Sequence, residues 1–442
     1  MTGDIKKLKI LHISRYDSKA GGGAAFRTHF AFLEAGYFSR ILVRESAYDK
    51  GETIYRMVSA RKITYRRVKN KIIALFKRLA GLAVKTDPSF HFQGTSESKL
   101  IFTTSELLSK IPFKPDVIIL YFVDYFLIYQ NVFELYKATG AKIYIYPMDM
   151  GPITGGCHYA WDCLGYQADC KNCPAILNSR YKSIANNNLA LKKKYIDQTN
   201  ISIIAGGVWI KDAIYKSSLF KNKPLRWLML PIDSAIFKPL PSEISRKYFG
   251  LDLNKKIIFF GAQSLSEKRK GIVYLLQSLV LLKALVANTK LENNIQLLVA
   301  GRSDTDFLKA LPFPYRFVGL LDNNEELPKA YNAADVFVCP SIQDAGPMMI
   351  TEAQLCGTPV VSFDMGLAQD LVNEKTGYKA ALHDVSEFAA GIRQVLMMEE
   401  KAHFEMRKTC VSSATGKVFL KGIVTEFEQI FKEDLADVEE RR

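Results

Sequence analysis

The chain is predicted to be α/β, built as two doubly wound parallel-sheet domains that face each other across a cleft. Three observations predict this. Short β-branched or aromatic runs alternate with helical stretches. The runs form two sets on either side of a proline-containing connection. Polar clusters follow directly after the runs, where open parallel sheets bind ligands. Continuous apolar strands alternating with helices belong to parallel sheets covered on both faces. A length of 442 residues exceeds one typical core and suits two domains.

The first strand is expected at residues 8–13. A loop follows, with Gly21, Gly22 and Gly23 ahead of a helical pattern through Phe26, Phe30 and Leu33. The next strand is residues 40–43, which completes a βαβ unit. Glycines before a helix let backbone amides approach an anion; a tight turn without a ligand is the alternative. The spacing is not GxGxxG, so NAD is not indicated. Further strands are expected at 116–122, 142–146 and 201–205. After Pro231 and Pro239 a second set follows, at 256–261, 296–301, 315–319, 335–339 and 358–363. Residues 418–431 read as an amphipathic helix, and 433–442 as a solvated or frayed tail.

Bulk properties narrow the classes. No run of about 18 uncharged apolar residues predicts a transmembrane helix, and the N-terminus lacks a signal-peptide core. A cytoplasmic location is expected. The net charge of +15 favours an anionic partner. No aromatic-basic RNA motif or zinc-finger spacing points to nucleic acid.

Two polar clusters carry chemistry. Asp344 and Glu352 lie eight positions apart, a loop acid and a helix acid ahead of a Val-Val strand. Such a pair can hold two hydroxyl-rich parts of one ligand, which suggests a sugar nucleotide. Lys268, Arg269 and Lys270 precede Gly271 at a helix start. A diphosphate there would gain from the helix dipole and charge-assisted bonds. A solvated basic turn is the alternative.

Taken together, these residues resemble the retaining family 4 glycosyltransferases of the GT-B fold, of the bacterial cell-surface polysaccharide type. The resemblance covers nearly the whole chain. It rests on an E-x7-E pattern with Asp344 in first place and Glu352 in second. Pro340-Ser341, Gly357-Thr358-Pro359 and the stretch 327–341 also match. The resemblance implies an acceptor-binding domain over 1–228 with a Cys-rich insertion at 151–176. It implies a nucleotide-sugar domain over 229–415 and a helix over 416–442 returning to the first domain.

Roles follow from the same resemblance. Glu352 would hold ribose hydroxyls. Asp344, Gly346, Pro347 and Met348 would hold the donor sugar, and Arg269 or Lys270 the diphosphate. Phe317 and Leu320 would flank the base, and Gly22 and Gly23 would close over the phosphates. Asp stands where the pattern has Glu at 344, and Ala262 stands where an arginine is frequent. No histidine ends the strands near 121–124 or 148–150, which leaves Asp149, with Asp124 behind it, as the polar group near the reacting centre. Asp344, Asp149, Arg269 and Lys270 are the catalytic candidates, with no catalytic metal.

Cys157, Cys163, Cys170 and Cys173 fall within 17 residues. In a cytosolic chain clustered thiols suggest metal, here structural zinc, with His158 able to replace one ligand. Reduced or redox-sensitive thiols, or an iron–sulfur cluster, are alternatives. Residues 61–85 hold nine Lys or Arg and no acid, interleaved with apolar residues. Such a helix can lie on an anionic membrane or pack on its own domain.

The expected function is sugar transfer from a nucleotide-diphosphate donor to a saccharide or lipid-linked saccharide, in cell-surface polysaccharide synthesis. The attack would come from the same face as the departing phosphate. A nucleotide-sugar epimerase and an inactive sugar-nucleotide-binding scaffold are the alternatives.

Overall fold

A computed structural model describes residues 7–16, 22–45, 52–58, 72–73, 75–76, 79–80, 82–93, 96–302, 305–321, 323–346, 348–418 and 420–439. The chain divides into two compact units. One holds Met1–Gly206, Ile210–Pro231 and Leu420–Arg442; the other holds Gly207–Trp209 and Ile232–Phe419.

The first unit carries seven strands: β1 (Lys9–Tyr16), β2 (Phe38–Glu45), β3 (Ile54–Arg56), β4 (Val117–Leu120), β5 (Lys142–Ile145), β6 (Ile201–Ala205) and β7 (Leu225–Trp227). Their order is β3-β2-β1-β4-β5-β6-β7. The second unit carries six: β8 (Lys256–Ser264), β9 (Ile295–Arg302), β10 (Tyr315–Phe317), β11 (Val336–Cys339), β12 (Val360–Phe363) and β13 (Gly377–Ala380). Their order is β10-β9-β8-β11-β12-β13. All these ladders are parallel. β4, β5, β6, β11 and β12 are buried along their whole lengths, as continuous apolar runs require. In each sheet the strand order reverses beside the unit's first strand, between β1 and β4 and between β8 and β11. Those two reversals are where crevices for ligands open.

The C-terminal helix Leu420–Glu439 belongs to the first unit's core. Its Phe427 and Phe431 pack with Phe32, Tyr37 and Tyr144. Within the tail expected to be solvated or frayed from Glu433 onward, the chain is helical to Glu439 and Asp434 is buried. Asp434 lies on the same helix face as Ile430 and Phe431. It accepts from Ser202 Oγ at 2.7 Å and from Arg226, with Lys142 Nζ 3.7 Å away.

A buried histidine pair lies between β1 and the helix Gly22–Glu34. His12 Nδ1 is 3.2 Å from the Tyr121 hydroxyl. His29 contacts Ser39 Oγ at 2.7 Å and Thr53 Oγ1 at 3.1 Å. Burial, and then Arg40, lower His29 from 6.5 to about 4; burial, and then His29, also lower His12. A lowered histidine stabilises the fold in its neutral form. That contribution is complete above pH 6.5 and is lost as pH falls toward 4. Urea unfolding should therefore show His29→Gln losing roughly 2 kcal/mol less stability than wild type between pH 7.5 and 4.5. Equal losses in the two proteins would remove His29 from the acid response.

Candidate functional site

In the second unit, the loop after β8 carries Glu267, Arg269 and Lys270 into the helix Ile272–Leu285. The loop after β11 carries Asp344. Two backbone features draw these loops together. Gly271 sits at φ +70°, and a Cβ there would lie 1.8 Å from the Pro340 carbonyl oxygen; a glycine alone admits that approach. Ile342 N–H donates to the Arg269 carbonyl at 2.9 Å.

The result is a charge cluster at the reversal between β8 and β11. Arg269 Nη1 and Lys270 Nζ donate to the same Asp344 oxygen at 2.7 and 2.6 Å. Gly346 N–H donates to the other oxygen at 3.2 Å, and Arg269 Nε donates to Glu267 at 2.6 Å. Burial raises the Asp344 carboxyl, but Lys270 and Arg269 outweigh it and hold the group down at about 2. Asp344 is therefore ionised at any working pH. Its carboxylate fixes both cations at a helix start suited to a diphosphate.

Glu352 lies in the next helix, Met348–Leu355, and accepts from the Tyr331 hydroxyl at 2.9 Å. Tyr331 is fully buried in the helix Glu326–Ala333. Burial, and then Glu352, raise its pKa well above the phenolic range, so it remains a donor and orients the carboxylate. Met348 is half-buried at that helix start, and Pro347 lies outside the described residues. Phe317 ends β10, with Leu320 exposed just beyond it. β10 is the sheet edge, separated from β8 by β9, so these two are not part of the charge cluster.

In the first unit, Gly22 and Gly23 open the helix after β1, with Gly21 outside the described residues. Asp124 follows β4 and Asp149 follows β5. Between them stands His158. Its Nδ1 is 2.6 Å from Asp149 Oδ2, and its Nε2 is 3.2 Å from Asp124 Oδ2. The second approach lacks hydrogen-bond geometry and is an ion-pair contact. Burial lowers the His158 pKa, but Asp149 and then Asp124 outweigh it and raise it to about 9. Gly151 N–H donates to Asp149 Oδ1 at 2.7 Å, and Lys192 Nζ donates to the Gly151 carbonyl at 2.8 Å. Asp124, Asp149, Tyr121, Tyr129, Glu97 and Lys192 line one cavity at the ends of β4 and β5. Among the described residues, the one set of three metal-ligand-type groups within 4.8 Å of one another is Asp124, Asp149 and His158. The imidazole and the two carboxylates form one compact charged cluster.

His158 is the residue sequence reasoning misplaces. It reads as a spare ligand for the cysteines because it follows Cys157. In the fold Cys157 lines the cysteine cavity while His158 turns to the two carboxylates. The four cysteines do come to one cavity. Lys85 and a few apolar residues of the basic stretch are described; the stretch 61–71, with Lys77 and Arg78, lies outside the described residues.

Residues 254–398 match the family described as glycosyl transferases group 1. The chain is 28% identical over 186 residues to D-inositol 3-phosphate glycosyltransferase of Mycolicibacterium smegmatis, covering 39% of each chain. It is 39% identical over 82 residues to glycogen synthase of Mycobacterium tuberculosis, covering 18% of this chain and 20% of the relative. These matches thus span two-fifths or less of the curated relatives' lengths. Among solved structures, sucrose-phosphate synthase from Thermosynechococcus elongatus has a TM-score of 0.65 at 16% identity, covering 98% of this chain and 100% of that one. Anabaena HepE in complex with UDP-glucose has a TM-score of 0.60 at 16% identity, covering 97% and 100%. WaaG, a glycosyltransferase involved in lipopolysaccharide biosynthesis, has 0.60 at 12%, covering 95% and 99%. The fold is that of the two-domain GT-B glycosyltransferases.

Proposed function

We propose that the chain is a glycosyltransferase that moves a sugar from a nucleotide-diphosphate donor to a saccharide acceptor. The observation that carries this is the Arg269–Lys270–Asp344 cluster at the β8/β11 reversal, inside the segment that matches the glycosyl transferase family. The departing nucleoside diphosphate gains negative charge as the bond from its phosphate oxygen to the anomeric carbon breaks. Two cations already fixed there stabilise that charge without reorganisation. Glu352, held by Tyr331 in the same unit, would bind ribose hydroxyls.

The finer reading is retention of configuration. The acceptor hydroxyl attacks from the face the phosphate leaves, and its proton passes to the departing phosphate oxygen. The Asp149–His158–Asp124 cavity would hold hydroxyls of the acceptor or the transferred sugar. The product belongs to cell-surface polysaccharide, made on the cytoplasmic side from a free or lipid-linked acceptor. Among the described residues no helix is long and apolar enough to cross a membrane. Phe76 is 70% exposed and Leu79 77%, within a stretch rich in Lys and Arg, which supports peripheral contact with an anionic surface. Replacing the cations of 61–85 should end binding to anionic liposomes and leave nucleotide affinity unchanged.

A panel of UDP-, GDP- and ADP-sugars with saccharide acceptors tests the central reading. Transfer supports it. Donor conversion without acceptor would make the chain an epimerase, and binding without turnover a scaffold. With the donor so identified, Glu352→Ala should weaken nucleotide binding at least tenfold, about 1.4 kcal/mol, and unaltered affinity would remove Glu352 from the ribose.

A further inference from the structure

Cys157, Cys163, Cys170 and Cys173 line one cavity, beside Tyr166 and Lys171, and all four are free thiols. One of the four sulfurs accepts a backbone bond. Gly165 N–H donates to Cys163 Sγ at 3.4 Å. That bond runs from an amide to the cysteine two residues before it, which requires the chain to curl tightly around the sulfur.

The loop is shaped to hold that curl. Cys170 and Asn172 adopt left-handed φ of 56° and 52°, uncommon for residues other than glycine. A Cβ at Gly165 would stand 3.3 Å from Cys163 Sγ and 3.4 Å from Cys170 Cα, so a side chain there would crowd two of the cysteines.

We propose that these four cysteines bind one structural zinc ion. Zinc takes four thiolates in a tetrahedron without redox chemistry. The sulfurs stand wider than bound ligands, since among the described residues no three of them lie within 4.8 Å of one another; an ion at about 2.3 Å from each draws them inward by side-chain rotation. The ion would anchor the segment that presents His158, the residue after Cys157, to Asp149 and Asp124. Zinc therefore positions an ion triad that it does not touch.

Zinc content can be read whether or not the chain transfers sugar. The full chain is purified in reductant without a metal-affinity step and analysed by plasma mass spectrometry; one zinc per chain is expected. Chelation should open these four thiols to alkylation, mapped by peptide mass, and lower Tm; added zinc should shield them again. Cys170→Ser with Cys173→Ser should cut zinc content at least tenfold. If that variant fails to fold, removal and re-addition of zinc on the wild type remains decisive. Four reactive thiols that added zinc does not protect, two disulfides, or bound iron with visible absorption would each overturn the assignment.

Discussion

Alanine at Arg269 or at Lys270 is expected to lower the kcat/KM of sugar transfer by about 10²–10³, or roughly 3–4 kcal/mol, the loss typical of one preorganised charge donor. Both cations converge on one Asp344 oxygen, so each single variant leaves that carboxylate with one cation and the Gly346 amide. The fold should survive either change. Removing both partners is different. Asp344 would remain buried without its cations, and an uncompensated buried charge costs about 3–5 kcal/mol. The double variant should therefore unfold at markedly lower urea, with the Asp344 carboxyl rising from its present value near 2. Asp344→Asn separates placement from charge. It should depress kcat while changing nucleoside diphosphate affinity less than about threefold, because the cations remain but lose their common anchor. Single alanine variants within threefold of wild-type kcat/KM would show that the leaving group is stabilised elsewhere.

Parts of this cluster were legible in the sequence and parts were not. Lys268, Arg269 and Lys270 could be read as following a strand, and Asp344 and Glu352 as a spaced acid pair. That Asp344 binds those cations was hidden by 75 residues of separation. Only the parallel pairing of β8 with β11 closes that distance. The strands show the same division. Buried β4, β5, β6, β11 and β12 announce themselves as apolar runs. β3 and β7 are three-residue edge strands that are at most half-buried, and so present no run to detect. β13 is also an edge strand, with both middle residues partly or fully exposed. Asp434 in the acid tail was misread for a related reason: a charged residue is ordinarily solvated, but Asp434 sits where Ser202 and Arg226 wait.

His158→Ala is expected to be the most damaging single change in the first unit. The imidazolium stands between two carboxylates, 2.6 Å from Asp149 and 3.2 Å from Asp124. Its removal leaves both acids beside an empty, largely buried space with like charges facing one another. Breaking a buried pair from one side costs about 3–5 kcal/mol, much of it the cost of the charge left behind. Urea unfolding of His158→Ala should show a loss of that size. Asp149→Asn in the same chain should restore part of it, because taking away both partners of a buried pair costs less than taking one. A double-mutant cycle should then give a coupling above roughly 1 kcal/mol. Nucleotide affinity should stay within about threefold, since Arg269, Lys270 and Glu352 belong to the other unit, while turnover falls by 10² or more as in other losses of a positioned charge. A His158→Ala protein as stable as wild type would mean that Asp124 and Asp149 share a proton directly. Burial already pushes Asp124 upward, with His158 the largest opposing influence, so the variant measures which of the two dominates.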